Sequence, residues 1–279
     1  MDTHAARLAF AEELRFTANL RSPAVVRAFA IVPRERFVGP GPWRIRSFLD
    51  RAEYWTTDDA DPRNVYHDVL IALDETRGLN NGQPSLWASL LDQMNLSPGE
   101  HVLHLGCGTG YYSAILAELV GSQGSVSALE IDECLAQLAR HNLEPWPQVR
   151  VVNADGSSYM PAAMDAVIAS AGATHPLPIW LDALKPGGRL LVPLTAEQRA
   201  GVVLLATRQT DDAFAARLIR PVWFIEFIGV RDAEAQILLK RALDRGNIAV
   251  VTSLRRDRHA EEEACWLHGD GYCLSTRPS

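Results

Sequence analysis

His101-Val-Leu-His-Leu-Gly-Cys-Gly-Thr-Gly110 is the stretch whose reading decides the fold. Val102 to Leu105 is a short apolar run, the length of a buried strand, and it runs into glycines at alternate positions: Gly106, Gly108 and Gly110. Without a Cβ, glycine lets a ligand or a helix come up against the main chain, so the run reads as a strand entering a closely approached turn. Tyr111 to Val120 has few helix breakers and enough apolar residues for a helix, whose first N–H groups would face a polar ligand. Gly121-Ser-Gln-Gly124 turns the chain again, Val126 to Leu129 is a second apolar run, and Glu130 ends it with an acid.

Strand, glycine turn, helix, strand and acid in that order make a βαβ unit that binds a nucleotide or nucleoside. Glu130 lies about twenty residues past the glycines, where an acid accepts hydrogen bonds from ribose hydroxyls. The spacing G-x-G-x-G differs from the dinucleotide fingerprint G-x-G-x-x-G, whose last glycine allows close packing around a pyrophosphate. Tyr111 stands at that last position here. A cofactor with no pyrophosphate fits better, which points to S-adenosylmethionine and away from a nicotinamide-dependent dehydrogenase.

The 279 residues suffice for a full core, and 47% apolar with 22% charged residues is ordinary for a globular protein. A formal net charge of −7 argues against a general nucleic-acid footprint. No apolar stretch reaches the length of a membrane span, and the N-terminus has no leader pattern, so the expected compartment is the cytoplasm. The four cysteines, at 107, 134, 265 and 273, are too few and too irregular for a disulfide framework. A monomer or homodimer is expected.

Three regions follow along the chain. Residues 1–65 read as a helical subdomain, with helices over 3–20 (Leu8, Ala11, Leu14 and Leu20 apolar) and from Pro23 to about Ile31. A less regular, aromatic-rich excursion over 41–65 follows, carrying Trp43, Phe48, Tyr54 and Trp55. Residues 66–230 read as the cofactor-binding core: a strand at 69–73, a loop at 74–83, a helix from Pro84, the organising unit, a helix after Glu130 with Leu135, Leu138 and Ala139 buried, and strands at 149–152, 164–169 and 189–193. Two further strands, 202–208 and 215–222, flank a polar turn. Residues 231–279 are a C-terminal extension with a helix over 232–243, a strand in Ile248 to Leu254, a charged solvated segment and a compact tail. Asp155, just past a strand end, and Ser170, after the next strand, fall at the edge where open α/β sheets bind ligands.

The wording of these segments resembles the protein-L-isoaspartate O-methyltransferase family of class I S-adenosylmethionine-dependent enzymes. The likeness covers about residues 22 to 230. It rests on V-x-x-A-F-x-x-V-P-R-E-R-F-V at 25–38, Y-x-D at 66–68, Q-P at 83–84, L-S-P-G-E-x-V-L at 96–103, G-C-G-T-G-Y-Y-S-A-x-L-A at 106–117 and L-K-P-G-G-R-L-L-V-P at 184–193. The resemblance implies an α/β fold, a doubly wound and mostly parallel seven-stranded sheet of Rossmann-like type. It implies S-adenosylmethionine held around His104, Gly106, Gly108, Gly110, Tyr111, Glu130, Ile131, Asp155, Gly156 and Ser170. Tyr66 and Asp68 are carried over as pocket residues.

The acceptor side departs from the family. A run ending T-I-S-x-P is matched here by Asn80-Asn-Gly-Gln-Pro84, so Gly82 replaces the serine that lies by the carboxylate being methylated. His104 stands where an acid is usual, and Trp223-Phe-Ile-Glu-Phe-Ile-Gly229 lacks the arginine of R-F-V-P-L-x-G. These changes favour a methyltransferase with an altered acceptor site, acting on a carboxylate or other oxygen of a peptide or biosynthetic small molecule. The alternatives are isoaspartyl repair, with Gln83 or Asn81 doing the serine's work, and a non-catalytic cofactor-binding subunit. A carboxylate needs no general base at pH 7, whereas an alcohol or phenol does, and His175 in A-T-H-P is placed for that role. His175, Asp68, Tyr66 and Gln83 are thus the catalytic candidates. Cys265, His268 and Cys273 form C-x2-H-x4-C, which lacks an obvious fourth ligand; no metal is expected, and both cysteines read as small buried residues.

Overall fold

The computed structural model describes residues 2–47 and 53–279. Its helices are α1 (Thr3–Thr17), α2 (Pro23–Ile31), α3 (Pro84–Met94), α4 (Tyr111–Val120), α5 (Glu133–Asn142), α6 (Pro178–Asp182) and α7 (Ala233–Arg245). The early strands are β1 (Arg44–Ser47), β2 (Trp55–Thr56), β3 (Val69–Asp74) and β4 (Leu79–Asn80). Then come β5 (His101–Leu105), β6 (Ser125–Glu130), β7 (Val149–Asn153), β8 (Met164–Ala169), β9 (Leu184–Thr195), β10 (Ala200–Arg208) and β11 (Ala213–Trp223). The last three are β12 (Ser253–Arg255), β13 (Cys265–Gly269) and β14 (Tyr272–Ser275).

Strand order in the large sheet is β13-β14-β12-β11-β10-β9-β8-β5-β6-β7. β8 pairs in parallel with both β5 and β9. From β9 outward through β10, β11, β12, β14 and β13 the pairings are antiparallel. The order β7 to β11 accounts for the expected seven strands, and the C-terminal segment lengthens the sheet to ten. The helices between β5 and β9 supply the crossovers that parallel neighbours require.

The chain divides into two compact units. One comprises Met1–Glu100, Cys107–Ala128 and Asp132–Val152; the other comprises His101–Gly106, Leu129–Ile131 and Asn153–Ser279.

In the first unit α1 starts on an Asp2 cap and α2 on a Ser22 cap with proline in its first turn. Their apolar faces meet α4 through a chain of rings. Phe10 lies 5.8 Å from Tyr66 and 6.5 Å from Phe29, and Tyr111 lies 6.2 Å from Phe29 and 5.6 Å from Phe37. The N-terminal helices therefore share their core with the helix that follows the glycine turn. α1 buries Ala6, Phe10, Ala11 and Leu14, while Leu8, expected in the stripe, is exposed. On α5 the buried face is Ala136, Ala139 and Asn142, and Leu138 is exposed. One expected leucine in each helix, Leu8 and Leu138, falls off the buried stripe, and Leu135 is only half-buried, because partner geometry rather than side-chain hydrophobicity alone selects the face.

The stretch 41–65, read as an irregular excursion, contains strands. β1 pairs with β2 and β3 in a small antiparallel sheet of order β2-β1-β3-β4. Trp43 is buried, with its indole donating to Gly39 O at 3.0 Å, Tyr54 stacks under Arg46, and Trp55 faces solvent. Phe48 lies outside the described residues.

In the second unit β8, β10 and the latter half of β9 are buried nearly throughout, as strands covered on both faces must be, whereas β11 alternates buried and more exposed residues along most of its length. The run expected as a strand from Ile248 forms a 3-10 turn (Ile248–Val250) before β12 begins at Ser253.

Candidate functional site

In the first unit the acceptor-side residues are organised by Arg34, from the P-R-E-R-F-V segment. Its side chain is fully buried. The guanidinium donates to Asn81 Oδ1 (3.2 Å), Val65 O (2.9 Å), His67 O (2.9 Å), Val69 O (2.8 Å) and Gly82 O (3.4 Å). Five acceptors match the five donors of a guanidinium, which lets a cation stay in the interior. Burial still pulls its pKa below the ordinary arginine value, opposed by Tyr112, Tyr111, Asp68 and Tyr66 nearby. One side chain thus ties the strand entry at 65–69 to the turn at 81–82.

Three of the four catalytic candidates surround this clamp. Asp68 accepts from the Ser85 N–H at 2.8 Å and from Gln83 Nε2 at 3.0 Å. Its carboxylate therefore caps the N-terminus of α3, where Gln83 offers no side-chain cap of its own. Tyr66 is buried; its hydroxyl donates to Glu35 Oε2 and accepts from the Arg34 N–H at 3.3 Å. Burial, then the Glu35 contact, raises its pKa, so it remains a phenol. Both sides of that hydroxyl are occupied by protein, which makes Tyr66 part of the clamp.

Gly82 sits among these groups at φ +72°, a backbone conformation that L residues rarely adopt. A Cβ there would lie 2.8 Å from Trp87 Nε1 and 3.0 Å from Tyr112 Cε2. Trp87 and Tyr112 stack with centroids 4.8 Å apart and close that side of the turn. The hydroxyls of Tyr111 and Tyr112 are buried and have no hydrogen-bond partner among the described residues.

The same unit carries the far side of the glycine turn. Thr109 Oγ1 donates to Phe37 O at 2.6 Å, and Asn142 Nδ2 donates to Thr109 O at 3.0 Å. Arg36 in turn donates to His141 O at 2.9 Å and to Asn142 O, so P-R-E-R-F-V holds α5 and the turn together. Gly110, at φ +100°, precedes α4; a Cβ on it would lie 2.7 Å from Leu143. Gly108, at φ +57°, has nothing within 4 Å of its Cβ position.

The second unit carries the strand-end residues. His104, on β5 opposite Ile168, is buried, and its Nε2 lies 2.7 Å from Ser170 Oγ. Burial alone lowers its pKa to about 4, so the ring is neutral at physiological pH. A Cβ on Gly106 would meet only Ser170, at 3.9 Å. Glu130 is buried at the end of β6; Ala154 N and Asn153 Nδ2 donate to its carbonyl at 3.1 and 2.9 Å, while Ile131 is exposed. Asp155 Oδ1 accepts from Ser157 N at 2.8 Å in a tight turn. Gly156 follows, where a Cβ would press on Leu105 and Phe227 at 3.0 Å each. Trp180 donates from its indole to Gly156 O at 2.8 Å and lies 5.2 Å from Phe227. The second unit therefore gathers His104, Ser170, Asp155 and Gly156 with two aromatics, Trp180 and Phe227, that sequence reasoning did not select.

His175 is half-buried, and burial lowers its pKa against the opposing charge of Asp232. Its Nδ1 lies 2.9 Å from Thr174 Oγ1, which also donates to Val230 O at 3.2 Å.

A profile of the Protein-L-isoaspartate(D-aspartate) O-methyltransferase family matches residues 45–232. The chain belongs to this family. It is accordingly a class I, S-adenosylmethionine-dependent methyltransferase. It is 32% identical over 229 residues to "Protein-L-isoaspartate O-methyltransferase" of Aeropyrum pernix, covering 80% of each chain. The protein of the same description from Pyrobaculum neutrophilum is 30% identical over 219 residues, 77% of this chain and 95% of that one. Among solved structures, a "putative protein-L-isoaspartate O-methyltransferase" from Plasmodium falciparum in complex with S-adenosyl-L-homocysteine shares the fold. Its TM-score is 0.62 at 17% identity, covering 79% of this chain and 97% of that one.

Within the family, two anchors are held by features that the sequence alone does not expose. Arg34 is legible only as a charge in a motif, and a fully buried cation is not what composition predicts. Phe227 lies in the segment read for its missing arginine. Two residues past that segment, Arg231 donates to Thr195 O and Ala196 O at 2.9 Å each and to Gly172 O at 3.3 Å.

Proposed function

We propose that the protein methylates the free carboxylate of an aspartyl-type residue in a peptide, with isoaspartyl residues, whose free carboxylate is the α-carboxylate, as the first acceptors to test. The observation that carries the reading is the strand–glycine-turn–helix unit within a family match over 45–232. Gly106 bears a left-handed backbone on which a Cβ would meet only Ser170, at 3.9 Å. That bare main chain, together with the buried acid Glu130, fits a nucleoside carrying a sulfonium rather than a pyrophosphate. When bound, S-adenosylmethionine supplies an electrophilic methyl group.

The chain's own residues then have these roles. Glu130 accepts from the ribose hydroxyls, Asp155 and Gly156 meet the base beside Phe227, and the neutral His104, oriented by Ser170, offers a ring nitrogen without fixed charge. Asp68 and Gln83 set the start of α3 and the Gly82 turn that receives the acceptor. The acceptor carboxylate is ionised at neutral pH, so no proton has to be removed.

A second reading, an acceptor other than an isoaspartyl residue, is favoured by Gly82. The Trp87–Tyr112 wall leaves no room for a serine there. Transfer of labelled methyl from S-adenosylmethionine to an isoaspartyl peptide, its aspartyl counterpart and free dicarboxylic acids separates the readings. Base-labile methyl ester on the isoaspartyl peptide alone supports repair; ester on the aspartyl peptide or the free acids supports the second. Transfer to none of them sinks the proposed aspartyl-type acceptor. Glu130→Ala should weaken S-adenosylmethionine binding about 10- to 100-fold in calorimetric titration, the loss of charge-assisted hydrogen bonds.

A further inference from the structure

The C-terminal hairpin brings together four side chains that the family reaction does not use: His259, Cys265, His268 and Cys273. Their ligand atoms all lie within 4.8 Å of one another. Cys265 Sγ is 3.5 Å from His259 Nε2 and 3.8 Å from His268 Nδ1, and the two imidazoles cross at 73° with centroids 4.8 Å apart. Tetrahedral zinc, with Zn–S of about 2.3 Å and Zn–N of about 2.0 Å, sets neighbouring ligand atoms roughly 3.3–3.8 Å apart. The two sulfur–nitrogen distances fall in that range. From these groups we propose a structural Cys2His2 zinc site that fastens β13 and β14 to the segment preceding them.

The backbone explains how four residues of such spacing converge. In a regular strand Cys265 and His268, three apart, would face opposite sides of the sheet. β13 has a register shift between Cys265 and Leu267, so Cys265 pairs with Ser275 while His268 pairs with Cys273. Ser275 and Cys273 share a face, and the bulge therefore delivers Cys265 and His268 to it as well. His259 arrives on the irregular segment between β12 and β13. It is the fourth ligand that C-x2-H-x4-C lacked in the sequence.

The surrounding groups prepare the ligands. His259 Nδ1 is 2.9 Å from the Asp257 carbonyl, an acceptor, so that nitrogen carries the proton and Nε2 turns its lone pair toward Cys265. The Asp257 carboxylate stands 3.3 Å from the same nitrogen and is gripped by Arg255 at 2.7 and 2.9 Å. A carboxylate or carbonyl behind a ligating histidine is the usual outer shell of a metal site. The Glu262 N–H donates to Cys265 Sγ at 3.4 Å, a bond suited to a thiolate, while Arg255 and Arg277 hold Glu262 at 3.2 and 3.0 Å. Both cysteines are buried, and two thiolates neutralise a divalent zinc ion, so the assembled site carries no net charge. Four protein ligands leave no open position, which makes the role structural.

The test uses the full-length protein, purified without chelator or an immobilised-metal step and measured by plasma mass spectrometry. The expected result is about one zinc per chain. Removing zinc and adding cobalt to the reduced protein should give the intense visible bands of tetrahedral cobalt and a near-ultraviolet thiolate-to-metal band. Cys265→Ser and Cys273→Ser should each lower zinc content at least about tenfold and abolish the thiolate band. The cobalt spectrum of the unmutated protein reports on the site even where a variant fails to fold. A chain free of zinc that gives no thiolate band with cobalt overturns the proposal. So does a Cys265–Cys273 disulfide in freshly isolated protein, or a double cysteine variant that keeps its zinc.

Discussion

At the residue scale, Gly82 and His104 carry the sharpest consequences. Gly82 joins a left-handed backbone to a wall 2.8 Å from its Cβ position, so the two obstacles to a side chain add. Gly82→Ser should destabilise the protein by roughly 1–3 kcal/mol in urea unfolding without raising methyl transfer to isoaspartyl peptide. An unchanged midpoint would show that the turn relaxes freely. His104 is buried neutral, with a pKa of about 4 against 6.5 when exposed. Between those values the unfolded chain binds the extra proton, so stability is fully present above about pH 6.5 and falls as the pH drops toward about 4. The loss is at most about 3 kcal/mol, and His104→Asn should flatten that part of the unfolding profile. Substituting His175 distinguishes the acceptor chemistries. His175→Gln should leave kcat for a carboxylate acceptor within about threefold, whereas an alcohol acceptor would lose its general base and about 100-fold or more.

At the element scale, the packing of α3 and the turn before it depend on groups outside the helix. Asp68 supplies the cap that Gln83 does not, so Asp68→Ala should cost about 0.5–2 kcal/mol in thermal or urea unfolding. Arg34 does the same for the strand entry and the 81–82 turn. A lysine has three donors on a point charge and cannot reach five acceptors, so Arg34→Lys should lose roughly 2–4 kcal/mol despite keeping the charge. Element types were largely legible: the strand into the glycine turn, α4, the acid-ended β6 and the strands flanking Asp211 and Asp212 follow from periodicity and turn residues. The misread stretch at 41–65 shows the limit. β1 and β2 are short, carry arginine, serine and tryptophan rather than an apolar alternation, and exist because β3 pairs with β1.

At the scale of the whole molecule, the C-terminal segment reads as an appendage in sequence but is part of the second unit's sheet. β12 pairs with β11, and β14 with β12. A chain ending at Asp232 would leave the β11 edge open and lose the buried Leu254, Trp266 and Leu274. It should form aggregates on size exclusion, where the full chain elutes as a discrete species. The glycine turn, Glu130, the order of strands and helices around them and the family were all determined by the sequence itself. They depend on local backbone demands and short-range periodicity, which are written residue by residue. The tertiary structure alone decided that Arg34 is a buried clamp, that Gly82 has no room for a side chain, that Phe227 lies against Gly156, and that His259 joins Cys265, His268 and Cys273. Each of these depends on pairing or packing between residues distant in the chain or set by a bulge, and spacing along the sequence does not encode it.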